Sequence, residues 1–80
     1  MKRYLAFPQE LTDRDYQEFC VIGLRVCCEK GVITKEYRDK YSKMAMEDLE
    51  IGKDIYVALM AYQDTESAFD LNDRLTHILN

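Results

Sequence analysis

The sequence predicts an all-α fold, a small bundle of about four helices with a short extended N-terminal arm. Three observations predict it. Only three Gly and one Pro occur among 80 residues, so turns are scarce. Apolar residues recur every three or four positions, the period of a helix face. Strong N-cap residues (Thr12, Thr34, then Thr65 or Ser67) stand just ahead of those periodic runs. The 80 residues are expected to form a single helical domain, 1–80. A chain this short buries only about 60% of its unfolded surface, so association is a natural source of added stability.

The elements follow in order. Residues 2–8, KRYLAFP, alternate weakly and end at Pro8, which suits an extended arm or a short edge strand. Thr12 then caps helix 1, Asp15 occupies the reciprocal position of a capping box, and Leu11 can staple onto Tyr16. Helix 1 is expected over 13–29. Gly31 suits the left-handed position beyond it, with Val32 folding back onto Cys27. Thr34 caps helix 2, expected over 35–50, where Tyr37, Tyr41, Met44 and Ala45 share a face. The pattern changes phase around Gly52, which is expected to end or bend that helix. Helix 3 is expected over 53–63. Helix 4, over 66–79, carries Ala68, Leu71, Leu75, Ile78 and Leu79 as one stripe.

The run LRVCCEKGVITKEYRDKYSKM, residues 24–44, places Gly31, Ile33 and Thr34 in a turn, then Glu36 and Tyr37 at the opening of a second helix. It resembles the SHOCT-type short helical hairpin and spans about a quarter of the chain. Members of that family usually carry the hairpin at the C-terminus of a larger protein, whereas here residues 45–80 follow it. The resemblance implies oligomerisation or docking and brings no catalytic residue with it.

Charge divides the chain. Residues 1–46 hold nine basic and seven acidic side chains, a balance of +2, whereas residues 47–80 hold two and eight, a balance of −6. The acidic residues Asp48, Glu50, Asp54, Asp64, Glu66, Asp70 and Asp73 are expected to form an acidic face. Such a half repels phosphate backbones, so direct nucleic-acid binding is disfavoured. Helix 2 does carry Lys35, Arg38, Lys40 and Lys43, but Glu36, Asp39 and Glu47 are interleaved with them, as on a solvated face.

The stretch FCVIGLRVCC, residues 19–28, is the most apolar in the chain. As a helix it covers only about 15 Å, half a bilayer core, so no membrane association is expected. The opening MKRYLAF has the look of a signal peptide but is cut short by Pro8 and Gln9. Three cysteines without framework spacing point to a reducing, cytoplasmic setting.

On a helical wheel, Tyr16, Phe19, Cys20, Gly23, Val26 and Cys27 form the expected core stripe of helix 1. Arg14, Glu18, Arg25 and Glu29 form a polar seam, with i,i+4 pairs Arg14–Glu18 and Arg25–Glu29. Arg25 therefore marks the wet line of the helix. Val21, Leu24 and Cys28 are left over as a second apolar strip. Helix 3 repeats the pattern: Ile51, Ile55, Ala58, Leu59 and Tyr62 face the core, and Tyr56, Val57 and Met60 remain. These six surplus residues cover one another, or are covered in part by the arm residues Tyr4, Leu5 and Phe7, or form a protein interface.

No catalytic, cofactor-binding or metal-binding residues are expected. The only histidine, His77, lies in the last helical turn near Asp73, and apolar burial would keep the thiols protonated. Vicinal Cys27 and Cys28 point about 100° apart on a helix and make no tetrahedral site. The acidic residues lack calcium-loop spacing. The expected function is thus that of a non-enzymatic helical interaction module, self-associating as a homodimer or docking to another protein. The alternative is an acidic inhibitor or decoy that mimics phosphates against a nucleic-acid-handling complex. Small phage counter-defence proteins, anti-CRISPR proteins among them, share this size and acidity as a general character. A helix–turn–helix DNA-binding regulator is the third alternative.

Overall fold

A computed structural model describes residues 12–78, which form four helices and no strand: α1 (Asp13–Glu29), α2 (Lys35–Glu47), α3 (Leu49–Thr65) and α4 (Ala68–Ile78). The expected arm, Leu11 with its staple, and Leu79 lie outside the described residues. Helices α1, α2 and α3 pack against one another in all three pairings, and α4 packs along α3.

Local chemistry sets the α1–α2 hairpin. Thr12 Oγ1 accepts from the Asp15 N–H at 3.2 Å, and Asp15 Oδ2 accepts from the Thr12 N–H at 3.0 Å, completing the capping box. Beyond Glu29, the Val32 N–H reaches the Cys27 carbonyl at 2.9 Å and the Gly31 N–H reaches that of Cys28 at 3.0 Å. That is the Schellman pair, closed by Gly31 at φ 77°. Thr34 Oγ1 then accepts from the Tyr37 N–H at 3.1 Å to start α2.

The α2–α3 boundary falls at Asp48, not at Gly52, and α3 continues to Thr65 rather than stopping at 63. Asp48 is the single non-helical residue between the two helices. Its N–H donates to the Met44 carbonyl at 3.0 Å, ending α2. Its Oδ1 accepts from the N–H groups of Glu50 and Ile51 at 2.9 and 3.3 Å, starting α3. Gly52 is buried within α3, where an added Cβ would sit 3.3 Å from the Ala45 carbonyl oxygen. The glycine lets α3 lie close to the end of α2, a packing role that overrides its weak helix propensity. Helix α4 likewise begins at Ala68 instead of 66. Glu66 closes α3 in the left-handed region at φ 52°, and Ser67 Oγ accepts from the Asp70 N–H at 3.1 Å.

The core draws Cys20, Leu24 and Cys27 from α1, Tyr41 and Ala45 from α2, and Ile55, Leu59 and Tyr62 from α3. Leu71 and Leu75 of α4 complete it. Leu24, expected on the surplus strip, is wholly buried, and Val26, expected in the core, is only half-buried. Helix α1 has a neighbour on each side, so two adjoining strips of it are covered. That double contact accounts for the broad apolar arc of FCVIGLRVCC. Tyr56 is buried for the same reason, its ring edge-on to Tyr16 at 5.0 Å.

Candidate protein-binding face

The side of α1 turned away from α3 and the core carries Arg14, Glu18, Ile22, Arg25 and Glu29, all exposed. Ile22 stands in the middle of this charged seam with 41% of its surface accessible. The end of α2 lies alongside and adds Met46, 52% exposed. The Gln17 amide fastens that end to α1, donating to the carbonyls of Ala45 and Met46 at 3.0 and 3.3 Å. Both belong to the last turn of α2, whose carbonyls have no partner within their own helix.

A hollow of about 460 Å³ opens between the two helices, lined by Glu18, Val21, Ile22 and Met46. It adjoins one of about 360 Å³ lined by Val21, Arg25, Arg38, Asp39 and Ser42. Val21, half-buried, is common to both. The face is therefore apolar at its centre and charged toward its ends. Arg14 pairs with Glu18 at 3.4 Å and Arg38 with Asp39 at 2.9 Å. The expected Arg25–Glu29 pair does not form, and Arg25 has no ion-pair partner among the described residues.

The structure separates the six surplus residues. Leu24 and Tyr56 belong to the core and are not available to a partner. Cys28 and Met60 are half-buried against the core cluster. Val21 lies on the face just described. Val57 is exposed on another side, in a groove of about 480 Å³ with Asp54, Ala58, Asp73, Arg74, His77 and Ile78.

Of the seven acidic residues, all but the half-buried Asp70 are exposed, on or at the ends of α3 and α4. Asp48 is occupied as a helix cap, and Asp70 is bound by Arg74 at 2.8 Å. Asp73 lies 3.6 Å from His77 Nδ1, and its carbonyl oxygen 2.8 Å from the same atom. Asp54 and Asp73 line a common groove.

The thiols offer little chemistry. Cys20 is buried with its S–H donating to the Gly52 carbonyl at 2.9 Å, and burial pushes its pKa up to about 12. Burial also raises Cys27. All three cysteines are free. Among the described residues no three His, Cys, Asp or Glu side chains are grouped to hold a metal, and no helix is long and apolar enough to cross a membrane.

No family model, curated protein or solved structure matches this chain. Its functional reading therefore rests on its own residues. Sequence reasoning passed over three exposed apolar side chains: Ile22, Met46 and Phe69, the last 83% exposed at the start of α4. For Ile22 a signal was present, since it lies among Glu18, Arg25 and Glu29 on the wheel.

Proposed function

We propose that this chain is a non-enzymatic helical interaction module whose working surface is the outer face of α1 with the end of α2. The observation that carries the reading is the exposure of Ile22 and Met46 beside one hollow, within a rim of charge. An apolar centre with a polar rim is the usual anatomy of a protein contact. The resemblance of residues 24–44 to an oligomerising hairpin agrees with it. Three free cysteines suit a reducing compartment, and the cytoplasm is the proposed location.

The acidic-decoy reading has less support, because Asp48 and Asp70 are engaged within the chain. A DNA-binding role for α2 is weakened by the Arg38–Asp39 pair.

Replacing Ile22 and Met46 together by Glu tests the proposal. The variant keeps its helical circular dichroism and cooperative unfolding, because both side chains are exposed. It loses the association that the wild type shows, with itself or with a protein recovered alongside it from its native cell. Undiminished association in the folded variant overturns the reading.

A further inference from the structure

The exposed seam of α1 has an internal order of which the fold itself uses only the Arg14–Glu18 pair. From the N-terminal end it reads Arg14, Glu18, then the half-buried Val21 and exposed Ile22, then Arg25 and Glu29. The signs run plus, minus, apolar, plus, minus. They are antisymmetric about the midpoint between Val21 and Ile22, so each position and its mirror position carry opposite charge. A second α1 laid antiparallel over the first, on a two-fold axis through that midpoint, meets a complementary surface along its length. Arg14 faces Glu29 of the second copy, Glu18 faces Arg25, and Val21 faces Ile22. A parallel arrangement would set every charge against its like.

From this pattern we infer that the occupant of the face is a second copy of this chain, docked antiparallel through α1 in an isologous dimer. The inference rests on the functional reading above and names its partner. Every contact in a two-fold interface occurs twice, so the seam supplies four ion pairs around an apolar centre. Met46 extends that centre at its edge. Arg25, unpaired within the described residues, gains a carboxylate partner. Helix α1 is about 25 Å long, and the mirrored charges span nearly all of it.

The test is sedimentation of the full chain from about 1 μM to about 1 mM, dissociation constants at which a modest dimer reveals itself. Three chains are compared: the wild type, Arg25→Glu, and the fourfold inversion Arg14→Glu, Glu18→Arg, Arg25→Glu, Glu29→Arg. All four side chains are exposed, and the inversion keeps opposite charges at 14 and 18, so the fold is retained and circular dichroism checks it. The wild type should approach two chains in mass. Arg25→Glu sets two carboxylates against each other twice and should weaken the dimer about tenfold or more at low salt. The fourfold inversion should restore it, and about 0.5 M salt should narrow the difference among the three.

A wild type that stays a single chain near 1 mM overturns the inference. The functional reading is then judged separately, by whether Ile22→Glu with Met46→Glu abolishes capture of a foreign protein. A dimer indifferent to Arg25→Glu overturns the antiparallel register.

Discussion

The Tyr41 hydroxyl donates a 2.9 Å hydrogen bond to the carbonyl oxygen of Leu75, both residues almost wholly buried. It ties α2 to α4, whose main packing is against α3. The carbonyl it satisfies lies near the end of α4. Tyr41→Phe keeps the ring, and with it the edge contact to Tyr37 at 5.4 Å, but leaves that carbonyl without its donor. Removing one partner of a buried hydrogen bond costs about 1–3 kcal/mol. Denaturant unfolding should register that loss with an unchanged slope, and unaltered stability would contradict the role.

Leu24 and Ile22 make a second, sharper contrast. They are two residues apart, yet one is fully buried and the other 41% exposed. Leu24→Ala should cost about 3–5 kcal/mol through lost burial and the cavity left behind. Ile22→Ala should change the stability of the single chain by no more than about 0.5 kcal/mol. Thermal or urea unfolding at low concentration compares them, and equal losses would show that α1 is misoriented. Leu24 is for this reason unsuitable for testing an interface.

Asp48 serves two helices at once, ending α2 through its N–H and starting α3 through its carboxylate. Asp48→Ala removes the cap of α3 and should cost about 0.5–2 kcal/mol. Asp48→Asn, still an acceptor at the same place, should recover most of it. Equal losses in the two variants would argue against capping as the cause.

The buried thiols predict an alkaline limit. In the unfolded chain Cys20 loses its proton around the ordinary value of 9.0, whereas burial holds it protonated in the fold to about 12. Cys27 is shifted the same way by burial, and Tyr41 is raised from 10.0 chiefly by burial. The folded state therefore binds these protons more tightly. Its advantage is fully present below pH 9 and declines as pH rises through the window from 9 to 12. Each unit of separation is worth about 1.4 kcal/mol, so unfolding free energy should drop by several kcal/mol across it. A thiol reagent on the native protein should modify Cys28 first, with Cys20 and Cys27 reacting only on unfolding. A flat stability profile, or early modification of Cys20, would contradict this burial.

The boundaries of the α1–α2 hairpin were legible because single residues' own chemistry decides them, whereas the equally local cap at Asp48 was not recognised. Thr12 with Asp15, Gly31 with Val32, and Thr34 all act within a turn of where they stand. Gly52 misleads because its role is tertiary: it admits the Ala45 carbonyl, and no local pattern reports that approach. Asp48 then takes the break through its stronger capping chemistry. Glu66 in the left-handed region has no local signature either. The phase of the core on α1 depends on having α2 and α3 on either side, which sequence spacing does not specify. Spacing alone therefore leaves Leu24 open between burial and an interface, and it does not single out Ile22. The charged residues of the polar seam were legible, since charge spacing at three and four residues is visible without a fold. Ile22 among them was not, and the expected Arg25–Glu29 pair does not form. The acidic residues were legible as a composition, but the engagement of Asp48 as a cap and of Asp70 with Arg74 was not.

The central claim is that the outer face of α1 binds a second copy of the chain. Light scattering on the wild type and Ile22→Glu, side by side from about 10 μM to about 1 mM, tests it most directly. The wild type should rise from the single-chain mass of 9.5 kDa toward twice that value, while the variant stays at 9.5 kDa throughout. Superimposable mass curves for the two proteins would contradict it.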